Sequence, residues 1–441
     1  MARRAGVLLA LAGALRLVAQ DAPKAEKWSL YFQATSIAQQ HGAVTSPYSS
    51  AFSLASHPEA EASLTSTLFF GLRLASNTQF YCNPEVAGGR AFSATNGIAN
   101  FPNGEMPRVS TATPKPYIAR LYVTQDFGFG AERETFTSDE NQLAGSRPVT
   151  RYSVTAGRFT LTDFFDNNRY THDPRTQFMG WAIMYNGAWD YPADTRGYTW
   201  GWVHEFHARR WSLRYASAAE PRTANGLRFD RRVLRDRGDV FEGEVRANPG
   251  GHAGAIRVLS YLNHADAGSY SEALQHAAVT ETAPDVTLTR HPGTLKYGFG
   301  VNVEQEIRKD IGVFGRLGWN DGKTESFAFA VIDRLATGGV SFNGNRWKRP
   351  SYTVATALTV TGLAGVHALY LARGGLDFMM GDGRLRYGPE YVSETYYSAR
   401  VIEGLFATVD LQHVTSPAYN RDRGPVWIGS LRLHLEWGKG R

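Results

Sequence analysis

The sequence predicts an all-β chain: a closed antiparallel transmembrane β-barrel of about 16 strands, within a range of about 14 to 18, whose long third loop folds into the lumen. Three observations carry this prediction. Segment after segment alternates between apolar residues and small, polar or charged ones, which is the period of a strand with two unlike faces. The chain opens with an export signal, yet no later stretch reaches the ~20 consecutive apolar residues that a membrane-crossing helix requires. Aromatic residues gather near segment ends, at Trp28, Tyr117, Trp200, Trp202, Trp319, Trp427 and Trp437, where interfacial girdles lie in such barrels.

Alternation alone also fits a soluble sandwich, in which the apolar face meets a second sheet. A transmembrane barrel turns that face to lipid and the polar face to a wet lumen, and closure pairs every backbone group. Export, the aromatic ends and a length of 441 residues without a Pro-rich or Ser-rich linker favour the barrel. At the N-terminus, Arg3 and Arg4 precede an apolar run over residues 6–15, and Leu17, Val18 and Ala19 offer a cleavage site near Ala19. The expected organisation is therefore a signal peptide over 1–19 and one barrel domain over 20–441.

In chain order, residues 64–74 put Leu64, Leu68, Phe70, Leu72 and Leu74 on one face and Thr65, Thr67 and Arg73 on the other. The polar face carries Glu242, Glu244 and Arg246 in residues 241–247, Asn302, Glu304 and Glu306 in 297–306, and Thr408, Asp410 and Gln412 in 405–414. The last segment sets Trp427, Leu431, Leu433, Leu435 and Trp437 against Ser430, Arg432, His434 and Glu436. Strands are expected near 28–35, 62–74, 78–83, 116–126, 151–162, 197–206, 210–218, 239–247, 253–264, 295–307, 311–319, 326–342, 351–361, 391–401, 405–414 and 425–437. Short turns at 76–77, 207–209, 248–252, 308–310 and 402–404 alternate with longer loops, the asymmetry of periplasmic turns and external loops. Counting 177–186 as a strand would invert that order, so it stays in the third loop. Residues 127–149 are the misfit, a connection on the turn side that is too long for a turn. Phe159 and Leu161 leave the parity of Tyr152, Val154 and Ala156. A one-residue bulge near Gly157 would restore the register and turn Arg158 inward. A similar phase shift falls near Gly338 and Gly339, and each place also fits a strand end.

The third loop, 163–196, is the candidate for selecting solutes. Asp163, Asp166, Asn167, Arg169, Asp173, Arg175 and Trp189 are its constriction candidates, with Tyr170, Trp181, Tyr185 and Tyr191 interleaved. Carboxylates accept and guanidiniums donate hydrogen bonds to hydroxyls, and rings cover the apolar faces of polyhydroxylated solutes. The competing reading is an ordered loop whose Asp and Asn residues cap turns. On the wall, Arg120, Arg158, Glu242, Glu244, Arg246 and Glu304 are lumen candidates that hydrate the interior and cross-link strands.

Other chemistries are excluded or weak. The single Cys82 rules out an intramolecular disulfide. A net charge of +6, from 47 Lys and Arg against 41 Asp and Glu with signs mixed along the chain, does not make a nucleic-acid surface. His204 and His207 are three apart on an alternating stretch, whereas a zinc-protease helix needs four. Asp163, Asp166 and Asn167 lack the spacing and glycine of a calcium loop. No catalytic residue, metal or cofactor is expected.

Several stretches together carry a resemblance: YFQAT at 31–35, FPNGE at 101–105, DPRTQF at 173–178, NHADAGSY at 263–270, GWNDGKTESF at 318–327, GDGRLRYGPE at 381–390 and YNRDRG at 419–424. The chain resembles bacterial carbohydrate-selective porins of the OprB type over nearly all of its mature length. That resemblance implies passive diffusion of mono- and small oligosaccharides across the outer membrane, without ATP or another cofactor. Sugars, outer-membrane lipid and the barrel-assembly machinery are the implied partners. One departure is the tail after Trp437, where such barrels commonly end on an aromatic residue. The alternatives are a general porin or one selective for divalent cations or other small ions, set by the inward carboxylates, and a plugged structural or adhesive barrel.

Overall fold

A computed structural model describes residues 25–106, 112–327 and 331–438. The expected signal peptide and the last three residues lie outside them. Sixteen antiparallel strands pair in sequence order and close. They are β1 (Trp28–His41), β2 (Glu59–Ala75), β3 (Thr78–Gly89), β4 (Lys115–Phe136), β5 (Gly145–Phe159), β6 (Thr199–His207), β7 (Trp211–Ala219) and β8 (Arg237–Ala247). The second half comprises β9 (Gly254–Ala267), β10 (His291–Arg308), β11 (Ile311–Asn320), β12 (Arg334–Asn343), β13 (Thr353–Gly362), β14 (Glu390–Ile402), β15 (Leu405–Thr415) and β16 (Val426–Gly438). Closure runs from Tyr31 opposite Gly438 to His41 opposite Ile428, so no strand edge within the wall is left unpaired.

The two-residue period sorts side chains as the sequence predicts. On β16, Leu431, Leu433, Leu435 and Trp437 are exposed on the outer face, while Arg432 and His434 are buried inside. On β2, Leu64 and Leu68 face out and Thr65 and Thr67 face in. No described helix is long and apolar enough to cross a membrane; the strands provide the apolar outer belt.

Three local expectations change. The connection 127–149 is mostly strand: β4 and β5 run on as a hairpin past the neighbouring strands, with a shift between Phe129 and Arg133, leaving 137–144 as the turn. There is no bulge at Gly157, because β5 pairs with β6 in unbroken register from Arg151 to Phe159. Phe159 keeps the inward parity and is buried under the third loop. The pairing of β12 is likewise unbroken at Gly338 and Gly339, and the strand begins at Arg334 rather than near 326. Leu335 points inward yet is apolar because it joins the buried cluster that the in-folded loops create.

Candidate functional site

The third long loop, L3 (160–198), lies inside the barrel, and so its backbone polar groups need partners other than bulk water. The wall supplies them. Glu242 accepts from Asp166 N at 2.7 Å, Glu304 from Arg169 N at 2.6 Å, and Glu394 from Met179 N and Gly180 N at 2.6 and 2.8 Å. Arg316 donates to the carbonyls of Ile183 and Thr171, both at 2.8 Å, and Arg432 to those of Pro174 and Gln177, both at 2.6 Å. These anchors stand on β8, β10, β11, β14 and β16, so L3 is fastened to that side of the wall. The described start of the second long loop, residues 90–106 of L2 (90–114), is held beside it, with Glu390 accepting from Ala99 N and Asn100 N at 2.9 and 2.7 Å.

What remains is a cavity of about 430 Å³ between these loops and the opposite wall, lined by Gln33, Phe69, Glu85, Tyr117 and Arg120 of β1 to β4. Its lining runs from Arg196 and Gly197 near the loop side to Asp139, Glu140 and Asn141 in the β4–β5 turn. Part of the lining is charged. Arg175 donates to Glu105 at 2.6 Å, Glu85 at 2.9 Å and Thr67 at 3.1 Å, and Arg120 is paired with Asp163. Tyr117 donates to the same Glu85 carboxylate. The lining also holds an aromatic cluster: Phe101 stacks on Trp181 with centroids 5.0 Å apart, and Trp181 contacts Tyr185 and Tyr191 at 5.5 and 6.2 Å. Near the loop side, the Arg196 guanidinium lies 4.1 Å from the Tyr117 ring centroid.

The predicted residues divide. Asp163, Asp173 and Arg175 line the cavity, with Arg120 from the wall. Asp166 does not; it is buried against Arg316 at 3.0 Å and Asn302 at 2.7 Å. Asn167 reaches back to Asp163 O at 3.4 Å. Arg169 sits by the β10–β11 turn, half exposed and 3.7 Å from Glu306. Trp189 is buried between Phe165 and Tyr191, a packing ring rather than a cavity wall.

Four of the wall candidates are structural. Glu242 and Glu244 converge on Arg214 at 2.8 and 3.1 Å, and Arg257 ties Glu244 to Glu304 at 2.9 and 3.4 Å. Arg246 braces the β6–β7 turn through Ala208 O at 2.6 Å. Arg158 stays on the outward parity opposite exposed Trp200, and its guanidinium returns over the rim to Asp194 at 2.7 Å. Sequence reasoning missed Glu85, because the expected third strand ended at 83, and it left Tyr117 as a girdle residue although it enters the cavity.

A family model described as "Carbohydrate-selective porin, OprB family" matches residues 60–437. Among solved structures, the chain is similar to the high-pH structure of Pseudomonas putida OprB, with a TM-score of 0.70 and 16% identity over 93% of this chain and 94% of that one. It also matches the outer-membrane channel DcaP of Acinetobacter baumannii, with a TM-score of 0.47 and 9% identity over 93% and 97% of the two chains. No curated protein matches it by sequence. Family and fold are those of a channel and imply the outer membrane. The chain belongs to the OprB family of carbohydrate-selective porins, and its function is that of an outer-membrane porin for carbohydrates.

Proposed function

We propose that small neutral sugars diffuse through the cavity between L3 and the β1–β4 wall, sliding along Phe101, Trp181 and Tyr191 while hydroxyls exchange water for the Arg175, Glu85, Glu105, Arg120 and Asp163 groups. The observation that carries this reading is the lining of one cavity by both an aromatic cluster and a set of charge-paired groups. The guanidiniums are already paired, so they offer donors to hydroxyls without the unbalanced field that would hold an anion. Contacts of this kind are weak, as they must be for a solute that has to leave as well as enter.

Single-channel conductance in a salt gradient, with and without glucose, tests the proposal. Open-channel current should fall in millimolar glucose and the block should weaken in W181A. Six carboxylates against three guanidiniums in the lining predict a modest cation preference. Current indifferent to glucose with strong ion selectivity would move this route to ions.

A further inference from the structure

The loop joining β7 to β8, L4 (220–236), is the most basic stretch of the chain. Residues 222–237 hold six arginines and two aspartates. Three arginines are paired: Arg232 with Asp230 at 2.6 Å, Asp236 at 3.0 Å and Asp266 at 4.0 Å, Arg235 with Asp236 at 3.5 Å, and Arg237 with Asp239 at 3.0 Å. Arg222, Arg228 and Arg231 are exposed and make no ion pair with any described residue.

Their place on the barrel gives the charge its meaning. Asp266 shares the outward parity of Ile256, Val258 and Leu262 on β9, which are 52%, 54% and 42% exposed. It stands four residues past Leu262, roughly 13 Å farther toward the loop-side rim at the rise of a strand. Arg222, Arg228 and Arg231 share with Asp266 a recess of about 850 Å³. The stretch of L4 between Arg222 and Arg228 reaches toward the mouth, where Asn225 N donates to Phe327 O at 2.7 Å. L4 thus straddles the rim and holds unpaired guanidiniums just above the lipid-facing belt. Leu234, 86% exposed, and Leu227, 52% exposed, flank them.

Arginine forks bind phosphate oxygens in pairs, and basic residues at a membrane surface attract anionic headgroups. We propose that L4 is a docking surface for a phosphorylated glycolipid of the outer leaflet: Arg222, Arg228 and Arg231 take the phosphates, and the apolar belt of β7 to β9 takes the acyl chains. Continuity with that belt selects a lipid over a soluble anion. The proposal rests on the outer-membrane reading but not on the sugar conduit, which lies inside the wall.

The test compares binding of bisphosphorylated lipid A, and of the same lipid without phosphates, to the full-length protein in detergent by native mass spectrometry. Removing the phosphates should weaken binding by roughly tenfold or more, as should R222Q/R228Q/R231Q, while R222K/R228K/R231K, which keeps the charge but not the fork, binds between the wild type and the glutamine variant. Equal binding of the two lipids, an unaffected glutamine variant, or full competition by millimolar inorganic phosphate would overturn the proposal. Glucose block in the same glutamine variant should match wild type. Loss of block in wild type counts against the conduit and leaves the lipid comparison intact.

Discussion

Arg120 on β4 grips Asp163 of L3 through two parallel hydrogen bonds, Nε to Oδ2 at 2.7 Å and Nη2 to Oδ1 at 2.6 Å. The pair fastens L3, just where it leaves β5, to the β1–β4 side of the wall, which the loop also reaches through Arg175 at Glu85 and Thr67. Both side chains keep partial exposure, 14% and 23%, to the cavity.

This pair is the first target. A hydrogen bond to a charged group contributes about 1.5–3 kcal/mol, and about 1.4 kcal/mol is tenfold in an equilibrium constant. D163N and R120A should each weaken glucose block by about tenfold, and R120A/D163N should cost less than the sum of the two. Additive effects in block titrations on single channels would mean that the residues act separately.

Asp166 and Arg169, three residues apart, should behave differently. Asp166 is buried against Arg316, and breaking a buried pair from one side typically costs ~3–5 kcal/mol. D166N should loosen L3, seen as a lower thermal midpoint and a larger, noisier conductance. Arg169 is half exposed in a long ion pair with Glu306, and exposed pairs contribute about 0–1 kcal/mol. R169A should leave both readouts near wild type, and equal effects would refute the assignment of Asp166 as a strut.

A third prediction concerns pH. His367, in the helix Gly365–Ala372, is buried with Nδ1 2.8 Å from Asp333 Oδ2 and Nε2 3.0 Å from Asp377 Oδ2. Tyr270 stacks on its ring at 4.2 Å. Burial pulls the imidazole pKa down, but the two carboxylates outweigh it and raise the group to about 9. Because the folded value lies above the ordinary ~6.5, the stabilisation is complete below that pH and is lost as pH rises through about 9. Hydrogen exchange at 365–372, corrected for intrinsic rate, should show protection falling from pH ~6.5 to past 9. H367Q should abolish that slope, whereas an unchanged slope would assign it to another group.

Much of the barrel was legible in the sequence. Each of the sixteen expected segments overlaps a strand, and the inward set Glu242, Glu244, Glu304, Thr408 and Asp410 is buried as its parity required. Two of the errors share a cause. Phe159 and Leu335 break the apolar-outward pattern because an in-folded loop gives them an apolar interior to face. The hairpin of β4 and β5 outruns its neighbours, so its length does not report the width of the membrane.

The sequence by itself determined the strand set, the sorting of each face and the loop that enters the lumen, because a two-residue period and turn chemistry are local properties of the chain. Only the tertiary structure decided which polar residues line the cavity. Within L3, Asp163 and Arg175 face the cavity while Asp166 is spent on Arg316 and Asn302. That division follows from the non-local register of one buried loop against several strands, whose carboxylates, amides and guanidiniums must first satisfy its backbone.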